Sequence, residues 1–161
     1  MATEIERKFL VDAQRLPSLP TGLQMKQGYI RTESFTSVRA RIKGPQGFLT
    51  VKGPSSEDGL SRLEYEYPIP LDDAHSIIDN LCDGGIVEKT RYEIPFGGWN
   101  WEVDFFTGAN SGLIIAEVEL TASDSKIQIP DWAVQEVTGD IRYYNLRLAE
   151  FPWSEWRGPK F

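Results

Sequence analysis

The sequence predicts an α+β protein dominated by antiparallel β-strands. Polarity alternates with a period of two in eight segments, which is the spacing of side chains on the two faces of a strand. The later segments are joined by short links rich in Gly, Pro, Asn and Ser, as hairpins require. A helical pattern interrupts the strands after the fifth of them. The eight segments are residues 3–11, 24–33, 36–43, 48–52, 60–69, 87–95, 99–106 and 113–121.

Helices are predicted at three places. Residues 71–82 place Ile77, Ile78 and Leu81 on one side, begin with acidic residues and are followed by two glycines. Residues 130–137 carry a proline at an early position, which suits the first turn of a short helix, and residues 141–150 form the third candidate. Residues 151–161 match no regular element, so we expect a single domain over residues 1–150 followed by a C-terminal tail.

Composition excludes several classes of protein. A chain of 161 residues with 40% hydrophobic residues favours one packed domain. A net charge of −7 argues against general nucleic-acid binding. No apolar run reaches the length that spans a bilayer, and the single cysteine, Cys82, excludes a disulfide framework. We therefore expect a cytoplasmic protein without nucleic-acid or membrane partners.

The informative feature is that charged side chains share one face of seven of the eight predicted strands, while the opposite face is largely apolar. The two signs are balanced on this charged face. Its acids are Glu4, Glu6, Glu64, Glu66, Glu102, Asp104, Glu117 and Glu119, and its bases are Lys8, Arg39, Arg41, Lys43, Lys52, Arg62, Lys89 and Arg91.

Two interpretations of this face are open from the pattern alone. The first is a sheet with one solvated side. The second is a closed barrel with the charges inside. Carboxylates at positions i and i+2 repel one another by about 2 kcal/mol at about 7 Å and an effective dielectric near 20, which a solvated face has little reason to accumulate. A metal-chelated polyphosphate needs both signs, because carboxylates bind hard divalent cations and Arg and Lys bind phosphate.

A family resemblance decides between these interpretations. Residues 4–8 match the ExExK signature of the CYTH superfamily, the triphosphate tunnel metalloenzymes, and further segments that are similar to the family follow in order over residues 1–148. They are Val38-Arg39-Ala40-Arg41, Thr50-Val51-Lys52, Arg62-Leu63-Glu64-Tyr65-Glu66, Lys89-Thr90-Arg91-Tyr92, Trp101-Glu102-Val103-Asp104 and Ala116-Glu117-Val118-Glu119-Leu120. The resemblance implies an eight-stranded antiparallel closed β-barrel, a tunnel with a charged interior and helices packed outside.

The resemblance also implies roles for individual residues. Glu4, Glu6, Glu117 and Glu119 are expected to hold a divalent metal, Mg²⁺ or Mn²⁺, with Glu64, Glu102 and Asp104 serving a second ion or positioning water. The eight bases are expected to bind the phosphates of a small-molecule triphosphate. The chain is similar to the short bacterial branch, in which a Lys–Tyr pair activates water. Tyr29 and Lys52 match those positions, and Glu6 is the alternative base. For Glu64 and Glu66 a salt bridge to a neighbouring Arg or Lys is the alternative to metal ligation, and for Glu66 it is the preferred interpretation.

The expected reaction is the hydrolysis of inorganic triphosphate to pyrophosphate and phosphate. Alternatives within the same fold are a class IV adenylate cyclase and a thiamine triphosphatase. A third alternative is a binding module that holds polyphosphate without turnover. The sequence leaves the choice of metal open, and it also leaves open whether the protein forms a homodimer.

Overall fold

The computed structural model describes residues 3–161, so the first two residues of the expected domain lie outside the described part. The nine strands are β1 (Thr3–Val11), β2 (Leu23–Ile30), β3 (Ser37–Lys43), β4 (Gln46–Lys52), β5 (Ser61–Ile69), β6 (Ile86–Phe96), β7 (Trp99–Phe106), β8 (Ile114–Glu119) and β9 (Ala133–Glu136). The α-helices are α1 (Leu71–Leu81), α2 (Asn145–Glu150) and α3 (Trp153–Trp156). Within residues 3–161 no helix is both long and apolar enough to cross a membrane.

Strands β1 to β8 close into a barrel. Their order around the ring is β5-β4-β3-β2-β6-β7-β8-β1, and β1 returns to β5 through the antiparallel pair Glu4 and Arg62. Every neighbouring pair in the ring is antiparallel. The predicted fold class, an eight-stranded antiparallel closed barrel with helices outside, is confirmed. Closure leaves no free edge among the eight strands.

Two parts of the predicted secondary structure differ from the observed one. Residues 130–137 were predicted as a helix, which is wrong, because residues 133–136 form β9 and pair with Phe9 and Leu10 of β1. The 141–150 segment is divided into a 3₁₀ turn at Ile141–Tyr143 and the helix α2. The strand β9 depends on a partner distant in the sequence, which local periodicity does not contain, whereas the 3₁₀ turn is capped locally by Asp140.

The apolar side of the barrel wall packs against the segments outside it. Phe9, Trp101 and Val118 are buried with Trp132 of the segment before β9, and the Trp101 and Trp132 rings meet edge to face at 5.5 Å. Helix α1 packs outside β2, β3 and β4. The apolar phase of the strands therefore lies outside, which turns the charged phase inward.

The C-terminal residues are part of this packing. Leu148 of α2 and Trp153 of α3 are buried with Val87 and Ile115, two side chains on the inward phase at one end of the barrel. Residues 151–161, which matched no element in the sequence, thus include a helix whose tryptophan contributes to the second core cluster. The segment between β9 and α2 is consequently held across one end of the barrel.

Candidate functional site: a charged cavity inside the barrel

The charged faces of seven strands, together with Tyr29 of β2, converge on one cavity of about 720 Å³. Of the sixteen charged residues on the predicted face, fifteen line it, and the exception is Asp104. Several of them are almost completely buried: Glu4, Lys8, Arg39, Lys89 and Arg91 expose 8%, 5%, 7%, 3% and 7% of their surface. Charges are rarely buried to this degree unless they are paired or bind a ligand. Every role predicted for these residues requires their side chains to lie inside the barrel. The roles themselves stay predictions.

Strand register brings carboxylates directly opposite one another. Glu6 of β1 faces Glu119 of β8, and Glu102 of β7 faces Glu117 of β8. Like charges at such positions destabilise a sheet. Burial, with the charges of Glu117 and Glu4, raises the pKa of Glu6 well above its usual value. Burial and the charges of Glu4 and Glu102 likewise raise the pKa of Glu119.

Lys52 lies between two of the predicted metal ligands. Its ammonium is 2.7 Å from Glu4 Oε2 and 3.0 Å from Glu64 Oε2. Burial raises the pKa of Glu64 to about 7, and the neighbouring Glu4 carboxyl adds to the shift. Burial also opposes ionisation of Glu4, but a hydrogen bond with Glu64 and the charge of Lys52 outweigh it and hold the pKa of Glu4 well below its usual range.

The acidic residues fit a hard divalent cation. Glu4 Oε2 is buried and, despite its short ion pair with Lys52, has no hydrogen-bond donor in suitable geometry. Carboxylate oxygens are the ligands that such cations prefer, and a dication would relieve the repulsion between the opposed acids. Within residues 3–161 no three carboxylates surround a common point at ligating distance, and Lys52 occupies the space between Glu4 and Glu64. An ion held between Glu4 and Glu64 would therefore have to take the place of the Lys52 ammonium.

The opposite side of the cavity is basic, and its residues differ in how completely they are neutralised. Arg39 Nη2 donates to Thr50 Oγ1 at 3.1 Å and to Glu66 Oε2 at 3.2 Å, so the salt bridge expected for Glu66 is present. Arg41 has no carboxylate partner in the described chain and donates to Gln27 Oε1 at 2.9 Å. Burial and the charges of Arg39 and Arg91 lower the pKa of Arg41 to about 9. The excess of positive charge here favours an anion.

Asp104 has a different environment from the other predicted metal ligands. It accepts from Arg91 Nε and Nη2 at 2.7 and 2.9 Å, and its other contact is Lys89 Nζ at 2.7 Å. Burial opposes the ionisation of Asp104, but Arg91 and Lys89 lower its pKa to about 2. Burial lowers the pKa of Lys89 to about 7 despite the attraction of Asp104. In this structure Asp104 is thus the counter-ion of two predicted phosphate-binding residues and lies behind the cavity surface.

The two members of the predicted Lys–Tyr pair both line the cavity but do not contact each other through a hydrogen bond in the described chain. Tyr29 Oη accepts from Gln27 Nε2 at 2.8 Å, while Lys52 is engaged by Glu4 and Glu64. Tyr29 is 4% exposed, and it pairs in register with Arg39. An activating role for Lys52 toward Tyr29 stays a prediction.

Four residues of the site were missed by sequence reasoning: Gln27, Thr50, Tyr144 and Asn145. Thr50 and Gln27 are on the inward phase of β4 and β2, so strand alternation could have found them, but uncharged polar residues gave no signal. Tyr144 lies over Lys8 and Arg62, whose cationic groups are 5.0 and 5.2 Å from its ring centre. Asn145 accepts from Lys89 Nζ at 2.8 Å. This last pair lies in residues 136–145, which resemble the short bacterial branch of the family, but the resemblance gave neither residue a role and a predicted helix contained both.

Comparison with known proteins agrees with this geometry. The CYTH domain model matches residues 2–146. The chain belongs to the CYTH family. A protein of Acetivibrio thermocellus named inorganic triphosphatase is 46% identical over 157 residues, covering 98% of this chain and 99% of the relative.

Two further similarities concern proteins that are also named inorganic triphosphatase. An inorganic triphosphatase of Nitrosomonas europaea is 39% identical over 156 residues, which is 91% of this chain and 97% of the relative. A crystal structure of an inorganic triphosphatase superposes with a TM-score of 0.66 at 35% identity, covering 93% of this chain and 96% of the other. The similarity therefore extends over the whole barrel of this CYTH protein.

Proposed function

We propose that the protein hydrolyses inorganic triphosphate to pyrophosphate and phosphate with the help of a divalent metal. The observation that carries this proposal is the cavity, in which carboxylates and cationic groups of seven strands face one another. A polyanion chelated to a dication is a ligand that needs both signs at once. The names of the two relatives support the same reaction and do not favour the adenylate cyclase alternative.

The basic residues bind and orient the substrate in this proposal. Arg41, which has no carboxylate partner in the described chain, is the first candidate to receive a phosphate oxygen, because guanidinium groups bind such oxygens in bidentate fashion. Lys8, 3.3 Å from Glu117, and Arg39, bound to Glu66, can exchange these partners for phosphate. Substrate binding then frees carboxylates at the moment when the accompanying cation needs ligands.

The metal is proposed to be Mg²⁺ or Mn²⁺, held by Glu4, Glu6, Glu117 and Glu119. When bound, such an ion neutralises phosphate oxygens and stabilises the charge that develops as the phosphoanhydride bond breaks. The proton of the attacking water has two candidate acceptors. The first is Tyr29, which lines the cavity and whose Oη is held by a hydrogen bond from Gln27 Nε2 at 2.8 Å. Glu6 has a raised pKa in the metal-free cavity.

A substrate panel tests the proposal. Phosphate release from tripolyphosphate, thiamine triphosphate and ATP is measured with Mg²⁺ and with Mn²⁺, and the ATP reaction is also analysed for cyclic AMP. We expect the highest kcat/KM for tripolyphosphate. Glu4→Gln is expected to lose about 100-fold or more of it, because a metal ligand is removed. Glu155→Gln, on the exposed side of α3, is the matched control.

Each other outcome selects an alternative. Cyclic AMP as the main ATP product indicates a cyclase, and a preference for thiamine triphosphate indicates that hydrolase. Binding of tripolyphosphate without phosphate release under any metal indicates a binding module. Full activity of Glu4→Gln would discard the metal assignment, and full activity of Lys52→Ala would discard the Lys–Tyr pair.

Three further expectations concern the location of the protein, its partners and its oligomeric state. A cytoplasmic location and the absence of nucleic-acid and membrane partners follow from the acidic composition and the lack of a long apolar run. A homodimer stays a prediction, and light scattering of the purified protein measures it.

A further inference from the structure

Two amide side chains outside the predicted site connect three residues inside it. Gln27 is completely buried, and each of its polar atoms is used. Its Nε2 donates to Tyr29 Oη at 2.8 Å and to Asn145 Oδ1 at 3.0 Å, and its Oε1 accepts from Arg41 Nε at 2.9 Å. Asn145 Oδ1 also accepts from Lys89 Nζ at 2.8 Å. One continuous network therefore joins a candidate base to two candidate phosphate-binding groups.

This network directs the remaining hydrogen-bonding capacity of its members into the cavity. Lys89 has three N–H donors, of which Asp104 and Asn145 engage two, so one is left. Tyr29 accepts from Gln27, so its own O–H group is not needed for that bond. Arg41 uses Nε for Gln27, which leaves its terminal nitrogens. All three side chains line the cavity.

The residue that completes the network comes from outside the barrel strands. Asn145 begins α2, and the segment before it is anchored by the buried Tyr143, whose carbonyl accepts from Lys8 Nζ at 3.4 Å. Leu148 and Trp153 hold α2 and α3 against the second core cluster. The position of Asn145 is thus set by the packing of α2 against the barrel, including β2 and β6, the strands that carry Gln27 and Lys89, and this packing fixes Asn145 relative to both of them.

We propose that Gln27 and Asn145 are positioning residues that act as one unit, holding Tyr29, Arg41 and Lys89 in the geometry that the reaction needs. This inference rests on the proposed function, since it assigns the network to that reaction. Neither amide is expected to contact the reacting atoms. The loss of either amide should lower kcat, because the side chains that contact the substrate are then misplaced. A small displacement of such a group lowers the rate by about 100-fold in the extreme.

Asn145 offers a pair of variants, one of which keeps its two accepted hydrogen bonds while the other removes them. Both bonds of Asn145 Oδ1 are accepted bonds, so Asn145→Asp retains them, whereas Asn145→Ala removes them. We expect kcat for tripolyphosphate to fall at least about 10-fold in Asn145→Ala and to stay within about threefold in Asn145→Asp. The comparison uses kcat because the added charge of Asp repels the anion and affects KM. Asn80→Ala, on the exposed side of α1, is the matched control.

A double-mutant cycle tests whether the two amides act together. Gln27→Glu keeps an acceptor for Arg41 but cannot donate to Tyr29 or to Asn145. We expect its kcat to fall at least about 10-fold, and the double variant with Asn145→Ala to be no more than about threefold slower than the slower single variant. Multiplicative losses would mean two independent residues and would overturn the proposal, as would an unchanged kcat in Asn145→Ala.

Two further measurements keep the result interpretable. Denaturant unfolding shows that each variant is folded under assay conditions, and a kcat loss explained by the unfolded fraction would count against positioning. Calorimetric binding of tripolyphosphate in EDTA is measured in parallel. If the wild-type protein binds tripolyphosphate in EDTA but does not hydrolyse it when Mg²⁺ or Mn²⁺ is added, the proposed function fails. The positioning role of the network is then judged from the enthalpy of tripolyphosphate binding. We expect Asn145→Ala to change this enthalpy and Asn145→Asp to retain its sign and rough size. An identical enthalpy in the wild type and in Asn145→Ala would overturn the positioning role.

Discussion

Replacing Asp104 with Asn should destabilise the metal-free protein strongly, because it removes the counter-ion of two buried cations. Asp104 is 1% exposed, and its carboxylate receives contacts from Lys89 at 2.7 Å and from Arg91 at 2.7 and 2.9 Å. Removing one partner of a buried ion pair typically costs about 3–5 kcal/mol, since the remaining charge is left without compensation. We expect a loss in that range at about pH 7 in EDTA, measured by urea unfolding.

The chain contains a matched control for this substitution. Asp140 forms a comparable pair with Arg142 at 2.6 Å, but on the surface, where the side chain of Arg142 is 56% exposed. Asp140→Asn keeps the side-chain oxygen that accepts from the Arg142 backbone N–H and should cost under about 1 kcal/mol. If Asp104→Asn cost no more than Asp140→Asn, Asp104 would not serve as a counter-ion in solution. A role as metal ligand alone would then be the better interpretation.

Three other predictions concern stability and metal. Burial raises the pKa of Glu64 to about 7, so its contribution to stability is present below its ordinary pKa and is lost as pH rises through about 7. The free energy of unfolding in EDTA should therefore fall between about pH 5 and pH 7. The fall should be smaller in Glu64→Gln. Trp153→Ala should cost about 3–5 kcal/mol in urea unfolding, whereas Phe35→Ala, at a side chain 87% exposed, should stay within about 0.5 kcal/mol. Mn²⁺ at about 100 times its Kd should stabilise the wild type by about 2.7 kcal/mol in thermal unfolding, and the same Mn²⁺ concentration should have less effect on Glu4→Gln; equal stabilisation of both would count against Glu4 as a ligand.

The barrel could be predicted from the sequence because its strands alternate almost without interruption. Alternation placed Arg39 and Lys89 on inward faces, and the balance of charges made a shared cavity a reasonable interpretation. The failure at residues 130–137 has a physical reason. The stretch carries an early proline and is too short for its own periodicity to be decisive, and its pairing with β1 is long-range.

Apart from the salt bridges considered for Glu64 and Glu66, the ion pairs inside the cavity could not be predicted, because they depend on register and on three-dimensional distance. Asp104 and Glu102 are equivalent in the sequence pattern, yet Asp104 lies behind the surface against Lys89 and Arg91, and Glu102 reaches the cavity. Asn145 lies beyond the last strand of the barrel. Its approach to Gln27 is created by the packing of α2 and α3, for which the sequence offers no periodic signal.

A metal-chelated triphosphate is expected to bind inside the barrel. A crystal structure of the Glu6→Gln variant with Mn²⁺ and tripolyphosphate, with the metal located by anomalous scattering, tests it most directly. We expect a manganese peak next to Glu4, Glu117 and Glu119, and phosphate density against Arg39 and Arg41. Manganese and tripolyphosphate bound only on the outer surface, with the ion pairs of the cavity unchanged, would contradict it.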